Sequence, residues 1–309
     1  MFACPCRFNG PASNRANDGS KFTRMPELPE VEITARRLGS ALAGAEVEST
    51  LAPGMVAVKT LDPMLAELEG MEVSGTSRVG KMPIVEFSSA DENLFLLVHL
   101  MSAGRLQAFD KRASLKDRAS RVLIRLADGR ELRLREFGTK QRAWVKLYRA
   151  GGVEADEMVV TLGPQAWPAP PLEVLAKAID EPRQLHPLLR DQRAIAGIGR
   201  SWVDEVLWEA MLPPFRKGAE LDGEEVERLH AGLAVLGAAI DHYEEVIGET
   251  VPDKLPMPLK VHRREGEPCP RCGTTIEAVY FAEHQTNYCP QCQTGGRVLK
   301  DRRLSRLLK

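Results

Sequence analysis

The sequence predicts a multidomain α+β protein: a β domain with a flanking helix, then a helical domain, then a small cysteine-bearing module. Three observations carry this. Residues 45–150 are dense in short alternating apolar runs, and from residue 171 the apolar spacing changes to the helical period. Near the C-terminus four cysteines fall in two C-x-x-C pairs. A length of 309 residues allows about two domains with cores of their own.

The first 24 residues, "MFACPCRFNGPASNRANDGSKFTR", have no continuous apolar stretch and are rich in Asn, Ser, Gly and Arg. They resemble no secretory signal, and disorder is expected. From Pro29 the pattern is helical: Val31, Ala35, Leu38 and Leu42 form one apolar stripe, proline suits the first turn, and Gly44 is a stop. The runs "PIVEF", "NLFLLVHL", "RVLIRL", "ELRLRE" and "RAWVKLY" then read as strands. "RVLIRLADGRELRLRE" is a hairpin turning at Asp128-Gly129, with Val122, Ile124, Leu132 and Leu134 on a shared face. Antiparallel strands at this spacing suggest a sandwich or a barrel.

The proline-rich stretch "TLGPQAWPAPPLE" (161–173) marks a boundary. Beyond it helices are expected at 171–180, 183–191, 201–210 and 222–247, the last with Val226, Leu229, Leu233, Leu236, Ile240 and Tyr243 along one face. "VPDKLPMPLKV" is a second linker, leading to the cysteine module. Hydrophobic residues make up 43% and charged residues 28%, an ordinary globular balance. The net charge of −1 gives no sign of an acidic partner. Apolar runs such as "LFLLVHLM" are too short to span a bilayer, so no membrane partner and a cytoplasmic location are expected.

Cys269, Cys272, Cys289 and Cys292 stand in a C-x2-C-x16-C-x2-C arrangement. Four thiolates on two knuckles fit one tetrahedral, structural Zn2+ with no open position, and fit an iron–sulfur cluster less well. Cys4 and Cys6, only two apart in the N-terminal tail, are bystanders in this reading. Residues 261–309 hold nine Lys/Arg against five Asp/Glu, a local surplus suited to phosphates. In "LHPLLRDQRAIAGIGRSWVDEVLWEAM" one helix ends near Arg193 and another opens around Ser201, across a turn containing Gly197 and Gly199. The N–H groups at the start of that second helix are expected to point outward as an anion site.

Five stretches together resemble the formamidopyrimidine-DNA glycosylase / endonuclease VIII family: "MPELPEVE" (25–32), "RVGK" (78–81), "HLMSAGRLQ" (99–107), "AIAGIGRSWVDEVLW" (194–208) and "LKVHRREGEPCPRCG…YCPQCQ" (259–293). The resemblance spans Met25 to about Gln293 and implies a catalytic β-sandwich domain at 25–160. It further implies a helix–two-turn–helix DNA-binding domain at 161–258 and a zinc-finger module at 259–309. It implies a monomeric DNA glycosylase and AP lyase acting on oxidised bases in double-stranded DNA. Pro26 would be the nucleophile, its amine attacking C1′ to form a Schiff base, and Glu27 the acid/base on the opening sugar. Glu30 would support them from the helix start. An α-amine titrates at about 7.7–8.0 against about 10.4 for lysine, so part of it is nucleophilic at neutral pH. By the same resemblance Lys81, Gly199 and Arg200 meet the DNA backbone, and Met101 and Phe137 fill the duplex beside a flipped nucleotide.

Three positions depart from the family pattern. Arg200 stands where an Asn is usual, which keeps a phosphate donor. His284 stands where the zinc hairpin presents an Arg, which makes the clamp pH-sensitive. Glu136 replaces an Arg in the "RRFG" loop, here "REFG", leaving Arg135 and Lys140 as the neighbouring cations. The altered loop keeps two alternatives open: an endonuclease VIII-like enzyme acting on oxidised pyrimidines or abasic sites, and a non-catalytic damaged-DNA-binding protein. The proline chemistry also needs a free amine, whereas the Met25–Pro26 bond makes that nitrogen an amide. The expectation is therefore that the functional protein starts at Met25, which is then removed, and that residues 1–24 are absent from it.

Overall fold

A computed structural model describes residues 25–114, 116–137, 140–281 and 284–299, with backbone alone at 281 and 284. The expected N-terminal extension and the basic tail from residue 300 lie outside the described residues.

Helix α1 (Leu28–Leu42) opens the chain and serves two cores at once. Val31, Leu38 and Leu42 enter the core of the β domain, while Leu28 and Ile33 enter the core of the helical domain. The stripe read from the sequence is thus one of two, and the second faces the helices. Each such leucine contributes about 1.5–3 kcal/mol by leaving water.

Eight antiparallel strands follow: β1 (Val47–Leu51), β2 (Glu72–Val79), β3 (Met82–Ser88), β4 (Asn93–His99), β5 (Gly104–Phe109), β6 (Ser120–Leu126), β7 (Glu131–Glu136) and β8 (Trp144–Arg149). They form two four-stranded sheets, ordered β1-β6-β7-β5 and β2-β3-β4-β8, whose apolar faces share one core. This is the sandwich. The β6–β7 hairpin pairs Val122 with Leu134 and Ile124 with Leu132, and Gly129 takes φ +91° at its turn.

Short α2 (Glu157–Val160) leads into the helical domain: α3 (Leu172–Ile179), α4 (Leu185–Arg190), α5 (Arg200–Glu209), α6 (Gly223–Gly232) and α7 (Ala234–Val246). The long helix expected at 222–247 is two, divided at Leu233. There α6 presses on α5: a Cβ on Gly232 would lie 2.9 Å from the Val206 carbonyl oxygen. Strands β9 (Glu277–Phe281) and β10 (His284–Tyr288) make the final hairpin, closed by α8 (Pro290–Thr294). Among the described residues no helix is long and apolar enough to cross a membrane.

Candidate active site

The N-terminal hexapeptide is docked on the two-glycine turn. Pro26 is buried, and the Leu28 N–H donates to the Gly197 carbonyl at 3.0 Å. Gly197 has φ +109°, and a Cβ there would sit 2.3 Å from Leu28 Cδ1, so a left-handed residue without a side chain is required. The Glu27 carboxylate then reaches the first turn of α5, accepting from the Ser201 N–H at 2.8 Å and the Trp202 N–H at 3.2 Å. A Cβ on Gly199 would lie 2.4 Å from Glu27 Cδ. This corrects the expected outward-facing anion site: those N–H groups hold an anion, but it is the chain's own Glu27, buried against the helix end.

Glu30 is buried directly beneath. Its Oε2 accepts from the Glu27 N–H at 2.9 Å, and its Oε1 accepts from the Tyr243 hydroxyl at 2.6 Å and Trp202 Nε1 at 3.1 Å. Burial pushes its pKa up to about 7, and the charge of Glu27 adds to this, against the hydrogen bonds from Tyr243, the Glu27 backbone and Trp202. Sequence reasoning missed Trp202 as a site residue and assigned Tyr243 to the core. The one available signal was that a buried hydroxyl and a buried indole N–H each need an acceptor.

Lys81 sits in the two-residue turn between β2 and β3. Burial holds its ammonium below the ordinary lysine range, with Glu27 opposing, Arg190 reinforcing and Glu30 opposing. Its turn is fixed from below. The side-chain Oε1 of Gln165 accepts from the Gly80 N–H at 3.1 Å and from Arg78 at 2.9 Å, and Arg78 also donates to Glu32 at 2.7 Å and to the Trp167 backbone carbonyl at 2.7 Å. The structure thus brings Pro26, Glu27, Glu30 and Lys81 to one place, with Arg190 within electrostatic reach of Glu27 and of the exposed Arg200.

Met101 lies in the β4–β5 turn with φ +49°, its N–H donating to His99 Nδ1 at 3.1 Å. The Phe137 N–H donates to the Ala103 carbonyl at 3.3 Å, so the loops carrying Met101 and Phe137 are neighbours. Glu136 does not face outward with them. It is buried, accepts from the Ala143 N–H at 2.8 Å and lies 4.0 Å from Arg121, closing the base of the loop. Its replacement of an arginine therefore puts no negative charge on the exposed face. Arg135, the residue before it, stacks over the Phe137 ring at 4.7 Å. The side chain of His284 lies outside the described residues; its backbone opens β10.

The four cysteines converge, with ligand atoms all within 4.8 Å of one another. Sulfur separations of 3.9 Å (Cys269–Cys292), 3.4 Å (Cys272–Cys289) and 3.5 Å (Cys272–Cys292) bracket the edge of about 3.8 Å that a tetrahedron with Zn–S of about 2.3 Å requires. The set fits one structural zinc. Trp208 Nε1 donates to Cys269 Sγ at 3.3 Å, and Arg271 donates to the Trp208 carbonyl at 2.7 Å. Glu205 accepts from the N–H groups of Lys260, Val261 and His262 at 2.8–2.9 Å, and Asp204 accepts from that of Asn287 at 3.1 Å. The metal module is therefore fastened to α5.

Comparison with known proteins gives concordant matches. Residues 25–140 match the formamidopyrimidine-DNA glycosylase N-terminal domain, 163–249 the formamidopyrimidine-DNA glycosylase H2TH domain, and 266–295 a zinc finger found in FPG and IleRS. Formamidopyrimidine-DNA glycosylases of Roseiflexus sp. (strain RS-1) and Geobacillus kaustophilus are 33% and 34% identical, each over 87% of this chain and 100% of the relative. Lactococcus lactis Fpg bound to DNA containing an abasic site superposes with a TM-score of 0.76 at 25% identity, covering 87% of this chain and 99% of the other. The same enzyme bound to N7-benzyl-Fapy-dG DNA gives 0.76 at 26%, covering 87% and 100%.

Proposed function

This chain belongs to the formamidopyrimidine-DNA glycosylase family, and from that footing we propose how its own residues excise a damaged base. It is a DNA glycosylase and AP lyase acting on damaged DNA. In the proposed mechanism the Pro26 amine forms a bond to C1′ while the C1′–base bond breaks and the base leaves. Glu27 takes the proton that the proline nitrogen sheds and delivers it to the ring oxygen as the sugar opens, giving an iminium at C1′, while the departing base takes a proton from water. The iminium acidifies C2′, and loss of that proton expels the 3′ phosphate. A second elimination expels the 5′ phosphate. Glu30 holds the Glu27 backbone, and Lys81, Gly199 and Arg200 serve the DNA backbone. Met101 and Phe137 fill the gap opposite a flipped 8-oxoguanine or formamidopyrimidine, and the zinc hairpin carries His284 at the position where a phosphate contact is expected. The zinc, held by Cys269, Cys272, Cys289 and Cys292, supplies structure and no chemical step.

The observation carrying this reading is the convergence of buried Pro26, the Glu27 carboxylate clamped on α5, and Lys81 within electrostatic reach of Glu27. In this reading the enzyme acts as a monomer. The division at residues 25–160, 161–258 and 259–309 assigns the chemistry and part of the DNA contact to the first unit and further DNA grip to the other two, in a cytoplasmic enzyme. An amide nitrogen is not nucleophilic, so the reacting form is one whose chain begins at Pro26. Borohydride trapping on abasic-site duplex tests this. A protein beginning at Pro26 is expected to form a reducible adduct mapping to Pro26, and a chain retaining residues 1–25 none. Equal trapping by the intact longer chain would assign the nucleophile elsewhere, Lys81 first.

A further inference from the structure

The segment after α7 carries a carboxylate whose position the catalytic reading does not use. Gln107 Nε2 donates to the Val251 carbonyl at 2.8 Å and to Asp253 Oδ1 at 3.0 Å. Arg105 Nε donates to the Asp253 carbonyl at 2.8 Å, and Arg135 donates to Asp253 Oδ1 at 3.0 Å and to Gln107 Oε1 at 3.2 Å. Gln107 is buried, and the Val251 side chain belongs to the helical-domain core. The outer edge of the β1-β6-β7-β5 sheet is therefore tied to the segment that joins the helices to the metal module. Arg135 is the member of this network that reaches the Phe137 loop. Its guanidinium lies over Phe137 at 4.7 Å and Phe109 at 5.4 Å, and its buried Nε has no hydrogen-bond partner among the described residues.

We propose that Asp253 is a positioning residue: it holds Arg135 stacked on Phe137 as one rigid element that reads the base opposite the damaged nucleotide. A long arginine on a strand samples many rotamers, whereas an ion pair on one side and a ring on the other leave a single direction. Asp253 sits outside the β domain, so reading of the opposite strand depends on how the inter-domain segment is seated. The inference rests on the proposed role of the Phe137 loop in filling the duplex.

Double-mutant analysis of strand nicking tests it, using the chain beginning at Pro26. Single-turnover rates are measured on duplexes with an abasic site opposite each of the four bases. The same lesion in single-stranded DNA, which has nothing to read, gives the underlying chemistry of each protein. Asp253→Asn and Arg135→Gln are each expected to compress the spread among opposite bases by about fivefold or more. The double variant is expected to compress it no further, because the two residues act as a unit. Asp253→Glu, which restores the charge, should recover part of the spread. Discrimination that survives Asp253→Asn, effects that multiply in the double variant, or a wild type indifferent to the opposite base would each overturn the inference while leaving the glycosylase/lyase reading intact. A wild type that nicks neither substrate would remove both.

Discussion

The contact between Gly199 and Glu27 makes a sharp prediction. Gly199 has φ −126° and ψ −153°, extended backbone that any residue adopts, so Gly199→Ala introduces no backbone strain. The added methyl would lie 2.4 Å from Glu27 Cδ, 2.6 Å from Oε2 and 2.8 Å from Cγ. Ordinary carbon contacts are about 3.5–4.0 Å, so the carboxylate must retreat by about 1 Å. It cannot do so freely, since both oxygens are held by α5 N–H groups and its backbone by Glu30. Such a misplacement of an acid/base is expected to slow single-turnover nicking of an abasic-site duplex by about 100-fold. Charge-assisted hydrogen bonds of about 1.5–3 kcal/mol each would weaken in the folded protein at the same time. Affinity for an uncleavable abasic analogue, measured by fluorescence anisotropy, should change far less than the rate. Gly223→Ala, whose methyl meets nothing within 4 Å, is the control. A Gly199→Ala protein that nicks at the wild-type rate would refute the argument that Glu27 must occupy this position.

Two further outcomes follow from the same geometry. The folded state holds the Glu30 proton more tightly than the unfolded chain, so this group's stabilisation is complete below pH 4.5 and is lost as pH rises through about 7, a swing of about 3 kcal/mol. Denaturant titrations of Glu30→Gln across that window should show a correspondingly flatter profile, and an unchanged slope would contradict the assignment. Cys289→Ser should abolish stoichiometric zinc, measured by atomic absorption, and weaken DNA binding while the β-sandwich signal in circular dichroism persists; one zinc per chain in that variant would reject the four-cysteine site.

Much of this was legible in the sequence because it depends on spacing. The cysteine knuckles, the Asp128-Gly129 hairpin and the buried stripe through Tyr243 all lie where their periods put them. Glu136 was legible in the same way: it shares strand parity with Leu132 and Leu134, so it points inward, and the concern about its charge in the exposed loop was answerable from the pleat. What spacing cannot supply is pairing between distant segments. The occupation of the α5 N-terminus by Glu27, 174 residues away in sequence, arises only when α1 is inserted between two cores. The hold of Gln165 on the Lys81 turn is of the same kind: a side chain in a proline-rich connector gave no sign that its amide oxygen would meet two donors from β2 and its turn.

Helix α5 has ten residues, a span of about 15 Å. One end grips Glu27 and the other donates through Trp208 to a zinc-site sulfur. Two binding equilibria therefore share one rigid strut, and thermodynamic reciprocity governs them. If the metal, by seating the strut, favours the arrangement that accepts a damaged nucleotide, then an occupied nucleotide pocket must tighten the metal by the same factor. Release of zinc to a chelator would then be slowest while the enzyme is engaged on a lesion, so the protein is best protected against demetallation at the moment it is working.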